Sequence, residues 1–165
     1  MKNINQTFQY LLTIFPRFVG ILSSWAIFLM IFLTTLIVFL RYFLGIGVVG
    51  LQEMVIYLHG IAFLFCSAYA YENDEHVRVD IFYRDSSNTY KKNINFFFSL
   101  FFLIPVCFVV GFYSYELVEM SWKIKETSTE AGGLNFVYLQ KSLVILFPAT
   151  LLATFLYQLL HRKWK

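Results

Sequence analysis

Long apolar runs, none with the alternating polarity of a half-buried strand, dominate the chain at 18–40, 51–71, 94–115 and 143–160. A hydrocarbon core of about 30 Å takes about 20 helical residues to cross, and each run is of that order. Strands would leave backbone groups unpaired in lipid unless closed into a barrel, so the runs predict helices. The pattern therefore predicts an all-α membrane protein with four transmembrane helices. A single membrane domain over 1–165 follows, because the longest connection, 116–142, is under 30 residues.

The last run is the shortest and carries Pro148, so a bend or tilt is expected there, with neighbouring helices repairing the lost backbone bond. Ahead of the first run, Phe8, Leu11, Leu12 and Phe15 share one helical face and Pro16 follows. That spacing predicts a short N-terminal helix lying on the membrane surface and interrupted at Pro16. The first run is longer than a signal-peptide core and lacks a small-residue cleavage pattern after it, so it is expected to remain as a membrane helix.

Composition agrees with a membrane protein: 59% hydrophobic and 21% aromatic residues against 14% charged, far from the usage of a soluble domain. With the N-terminus in the cytoplasm, nine Lys and Arg residues lie inside and four, Arg41, Lys123, Lys125 and Lys141, lie outside. The excess of basic residues on the inner side thus places both termini in the cytoplasm. The net charge of +3 is distributed by topology and gives no case for nucleic acid; the expected surroundings are membrane lipid.

Between the second and third runs, YENDEHVRVDIFYRD concentrates eight ionisable side chains besides its tyrosines at residues 71–85. His76, Arg78 and Asp80 alternate with Val77, Val79 and Ile81, which fits a strand, while Asp80 and Arg84 are also four apart as in a helix. One reading is a solvated loop whose basic residues fix topology; the other is a docking surface for a second membrane subunit. The acidic Glu72, Asp74, Glu75, Asp80 and Asp85 argue against a polybasic lipid anchor.

Candidate chemistry centres on the start of the second run. Gln52 and His59 are seven residues apart and share a helix face, and Glu53 sits beside that face above Tyr57. Polar groups in a membrane span should point at protein, either as interface hydrogen bonds or as part of an ion path. His59 invites a haem ligand reading, but bis-histidine ligation needs a partner at matched depth, and His59 lies about 18 Å of helix from the cytoplasmic side, where both His76 and His161 fall.

Cys66 and Cys107 both fall inside runs, where they are expected to pack as small hydrophobes, with no disulfide framework or thiolate metal site. No nucleophile and base pair, phosphate-cradling loop or clustered metal ligands are evident, so neither enzyme activity nor a cofactor is expected. A complete ion path is also hard to build, because the first and fourth runs hold no ionisable residue between their ends.

In the predicted outer loop, Trp122 and Tyr138 stand where an aromatic belt is expected. Thr127 and Glu130 have capping-box spacing, but Ala131, Gly132 and Gly133 follow directly and favour a turn within an ordered hairpin.

Taken together, Leu51-Gln52-Glu53, then His76-Val77-Arg78-Val79-Asp80, then Glu126 with Gly132-Gly133-Leu134 and Lys141-Ser142, resemble the small membrane subunit of tripartite ATP-independent periplasmic (TRAP) transporters, the DctQ-type family. The resemblance runs from about 18 to 160, and its outer-loop pattern is similar to the mannitol/chloroaromatic subgroup, with relatives that handle 2-oxo acids and lactate. It implies a bacterial inner-membrane scaffold for a large permease subunit, in sodium-driven uptake of a carboxylate delivered by an extracytoplasmic binding protein. Gln52, Glu53, His59, Arg78 and Asp80 then become candidates for the subunit interface. Glu126 and Lys141 become candidates for an outer docking surface, with pairing of Glu126 to Lys123 or Lys125 as the structural alternative. The acidic residues 72–75 depart from the less acidic turn expected of relatives. The rival readings are an anchor subunit of a respiratory oxidoreductase and an independent small oligomeric channel or exporter.

Overall fold

The computed structural model describes residues 2–76 and 86–161. Helices α1 (Lys2–Phe43), α2 (Val49–Asn73), α3 (Asn88–Phe98), α4 (Ile104–Ile124) and α5 (Val137–His161) follow in order, and a π-helical segment, Ser99–Leu103, joins α3 to α4. Because α3, the π segment and α4 form one uninterrupted helical stretch, there are four candidate membrane crossings: Ile14–Phe43, Val49–Asn73, Thr89–Ile124 and Val137–Leu160. The described residues contain no strand, in keeping with the all-α expectation.

Two features of the sequence reading are corrected. No break occurs at Pro16, so the N-terminal segment is continuous with the first crossing instead of forming a separate surface helix. A proline removes one backbone bond, but the helical bonds on either side persist, and the Pro16 ring is itself fully buried. The third crossing also continues past residue 115 to Ile124, which shortens the connection before α5 to 125–136. Polar residues in this extension do not end the helix, because Glu119 and Lys123 pair at 2.6 Å four residues apart. Likewise, α5 stays helical through the buried Pro148, which faces Gly111 on α4.

Helix ends are set by residues that accept left-handed backbone. Gly45 has φ 67°, and the Ile46 amide beyond it donates to the Leu40 carbonyl at 3.0 Å, closing α1 in a Schellman-type turn. Asp74 (φ 64°) and Lys125 (φ 49°) end α2 and α4 in the same region. At the start of α3, the Ser87 hydroxyl accepts from the Tyr90 amide at 3.4 Å.

Helix α2 packs against α1 and α5, α5 packs against α2 and α4, and α1 also touches α5. Accordingly, 39% of the residues in the apolar stretch of α5 are buried, against 11% in each other crossing. Ala68, Cys107 and Leu151 form the centre, covered by Tyr71, Leu103, Phe147 and Leu152. Cys107 is buried as expected, whereas Cys66 is exposed.

In lipid, packing of this kind relies on close approach, since tails are as apolar as leucine. Gly20 supplies it between α1 and α2 by receiving the Tyr69 ring, and Gly60 faces Leu143 on α5. Hydroxyls at Ser23, Ser24, Thr34, Thr35, Thr150 and Thr154 donate to carbonyls of their own helices, so they make no polar path. Near the end of α2, the Gln158 amide nitrogen donates to the Tyr71 carbonyl at 2.8 Å, while the Tyr71 hydroxyl and Ser99 hydroxyl lie 2.7 Å apart. These contacts tie three crossings together at a place the sequence reading did not single out.

Candidate functional site

Glu53 lies one turn into α2, beside the loop that joins α4 to α5. Its carboxylate accepts from the Leu134 amide at 2.6 Å and from the Ser128 hydroxyl. Within the loop, the Ser128 amide donates to the Leu134 carbonyl at 2.9 Å, the Glu130 amide to the Ser128 hydroxyl oxygen at 3.1 Å, and the Gly133 amide to the Glu130 carbonyl at 3.0 Å. Residues 128–134 therefore form a closed turn clasped by one carboxylate from α2.

The paired glycines follow from that geometry. Gly132 has φ 79°, where most side chains are strained, and a Cβ at Gly133 would lie 2.7 Å from Glu53 Oε1 and 2.6 Å from Ser128 Cβ. Glu53 and Gly132-Gly133-Leu134, 79 or more positions apart in sequence, are thus halves of a single clasp.

A second clasp closes the same loop at its ends. Lys141 on α5 donates to both carboxylate oxygens of Glu126, at 2.8 and 2.6 Å, and each side chain is about 30% exposed. The pairing of Glu126 with Lys123 or Lys125 is corrected: Lys123 is taken by Glu119, and the Lys125 ammonium sits over the rings of Trp122 at 4.4 Å and Tyr138 at 4.9 Å. Those rings meet edge to face at 4.8 Å. The Trp122 indole N–H donates to the Ser142 hydroxyl at 2.7 Å, and that hydroxyl donates to the Tyr138 carbonyl at 2.8 Å.

The Lys141 ammonium holds the Glu126 carboxyl below its usual range. A lowered folded-state value means the clasp contributes fully above about pH 4.5 and is lost as pH falls through the lowered value. Amide exchange across 125–136 is therefore expected to accelerate in acid beyond its intrinsic pH dependence, and Glu126→Gln should show that faster exchange at neutral pH. An unchanged profile in the variant would exclude this role.

On the outward face of α2, Gln52, Ile56, His59, Phe63 and Cys66 are all exposed. The side chains of Gln52 and His59 make no hydrogen bond to a described residue; the His59 ring stacks on Phe63, centroids 6.2 Å apart. Depth follows from the Gly20–Tyr69 contact. Moving about 15 Å along each antiparallel helix sets His59 opposite Met30, midway along the apolar run of α1.

The sequence-derived candidates thus divide. Gln52 and His59 share a helix face as expected, and that face is exposed and not turned into the chain; Glu53 is engaged within the chain, and Glu126 and Lys141 bind each other. His76 Nε2 lies 3.2 Å from the Ser67 carbonyl oxygen. Arg78 and Asp80 lie outside the described residues. Ser128 was missed, since an isolated loop serine carries no signal until its partner is known. Among the described residues, no three His, Cys, Asp or Glu side chains gather as metal ligands.

The family model described as "Tripartite ATP-independent periplasmic transporters, DctQ component" matches residues 17–165. No curated protein and no solved structure matches the chain.

Proposed function

The chain belongs to the DctQ family, the small membrane component of TRAP transporters, and on that premise we propose that it is a static scaffold for the large permease subunit. As a family member with four membrane-type helices it is a multi-pass inner-membrane protein. In this reading the large subunit carries the substrate and the coupling sodium ions, the substrate is a carboxylate, and an extracytoplasmic binding protein delivers it.

The observation that carries the scaffold reading is the distribution of polar groups. The described serine and threonine hydroxyls of α1 and α5 bond to their own helices, while Gln52 and His59 turn away from the packed helices. A transport path would need polar groups converging between helices along its length, whereas the contact of Tyr71, Ser99 and Gln158 lies at one end of α2; outward-facing polar groups instead suit a contact with another subunit. Gln52 and His59 are the interface residues proposed within the described part, and Arg78 and Asp80 extend that proposal to the cytoplasmic loop.

The 125–136 loop faces the extracytoplasmic side in this orientation, with both termini in the cytoplasm. Its two clasps favour a preformed surface for the binding protein, in which Glu126 and Lys141 hold the shape and the exposed Lys123, Lys125 and Glu130 offer charge.

Mild-detergent purification of the tagged chain from its native membrane, followed by mass spectrometry, tests the reading. A stoichiometric large permease subunit is expected. Recovery with redox subunits would instead support a respiratory anchor, and recovery of the chain alone would support an independent oligomer.

A further inference from the structure

Resting on the scaffold reading, we infer that α2 meets the large subunit through one transmembrane helix laid lengthwise along Gln52, Ile56, His59, Phe63 and Cys66, with a hydrogen-bonding side chain of that helix set against His59. The spacing of these exposed positions is four, three, four, three. An average step of about 3.5 residues keeps a straight seam on a helix that packs at a shallow left-handed angle of about 20°. The seam is about 21 Å long, most of the way across a hydrocarbon core.

Lipid is a poor occupant for this face. Hydrocarbon offers no partner for an imidazole near midspan, and an unpaired polar group there is costly. Other exposed faces differ: Phe28 and Phe32 on α1, Phe101 on the π segment, and Phe108 and Phe112 on α4 present apolar rings to their surroundings. Phe63 is 70% exposed on the seam itself, beside His59, so the surface offers an apolar knob next to a hydrogen-bonding group. A helix carrying a small residue opposite Phe63 and a hydroxyl or amide opposite His59 would satisfy both. The chain matches one component of a multicomponent transporter, and on the scaffold reading the membrane partner of that component is the large subunit, which selects it over a second copy of this chain.

The test uses the assembled complex in native membranes, with the photo-crosslinker benzoylphenylalanine placed at Ile56 or Phe63 and, as controls, at Phe32 and Phe112. Adducts with the large subunit are expected from the two seam positions and not from the controls. In parallel, His59→Leu should reduce the large subunit recovered at limiting concentration by about threefold or more, the scale of an interhelical hydrogen bond in a membrane. His59→Asn, which keeps a donor and an acceptor, should restore much of it. Adducts joining two copies of this chain, or seam positions that give none while the complex remains intact, would overturn the inference alone. Failure of the unmodified chain to recover any large subunit would overturn the scaffold reading as well.

Discussion

Gly133→Val is expected to unseat the 128–134 turn from α2. The Cβ alone would lie 2.7 Å from Glu53 Oε1, and it would press closer still on the Ser128 hydroxyl. Neither neighbour can withdraw freely, because the Glu53 carboxylate accepts from the Leu134 amide at 2.6 Å and from the Ser128 hydroxyl. Overpacking of this kind costs about 1–3 kcal/mol. Displacement of the carboxylate would also strand the Leu134 amide, so steric and polar losses fall on the same turn.

Hydrogen exchange at the amides of 128–134 is the direct readout: they should exchange faster in Gly133→Val, while helical content measured by circular dichroism stays close to that of the parent. Glu53→Ala should expose the same amides by removing the acceptor. Combining Glu53→Ala with Gly133→Val should cost less than the sum of the two, since the first removes part of what the second collides with. Exchange rates in Gly133→Val equal to the parent would refute the clasp.

A second large effect is expected from Gly20→Leu. An added Cβ would lie 2.8 Å from Tyr69 Cγ and 2.9 Å from its Cε2, so the conflict is with the body of a ring and not with a flexible tip. Relief requires α1 to move away from α2 or Tyr69 to leave its position, at a cost of about 3 kcal/mol or more. The thermal midpoint in detergent should fall, and a disulfide engineered between α1 and α2 should form less readily. Gly47→Ala serves as the matched control, because no atom lies within 4 Å of the Cβ it adds. Equal midpoints for the two variants would mean that α1 and α2 do not pack through this contact.

The number and type of the crossings were legible because lipid imposes a simple rule: backbone groups must pair within the segment, and side chains must tolerate hydrocarbon. Length and apolarity alone therefore identify the helices, down to the stretch containing Pro148. The same rule misled at the edges. Glu116, Glu119 and Lys123 read as loop because they are polar, yet polarity marks the limit of the apolar environment and not the end of a helix. Pro16 read as an interruption, yet one missing donor does not stop a helix whose proline ring is buried.

The candidate site was legible in part. Helical periodicity was enough to set Gln52 and His59 on one face, since seven residues make nearly two full turns. Nothing in the local pattern distinguished Glu53, their neighbour, as a residue committed to its own chain. That depended on where residues 128–134 come to rest, a long-range closure that local spacing does not encode. Glu126 and Lys141 show the same limit. Their opposite charges permitted a pair, but Lys123 and Lys125 were nearer in sequence, and only the return of α5 beside α4 brought Lys141 within 2.6 Å.

By itself, then, the sequence determined an all-helical membrane chain, its four crossings and the polar face of α2, because those properties rest on length, apolarity and a fixed helical repeat. Only the tertiary structure decided the order of packing, the central place of α5, and the engagement of Glu53 and Glu126 in holding a loop while Gln52 and His59 remain open. Charge and polarity reveal that a side chain needs a partner; the partner itself is chosen by how helices distant in sequence approach in space.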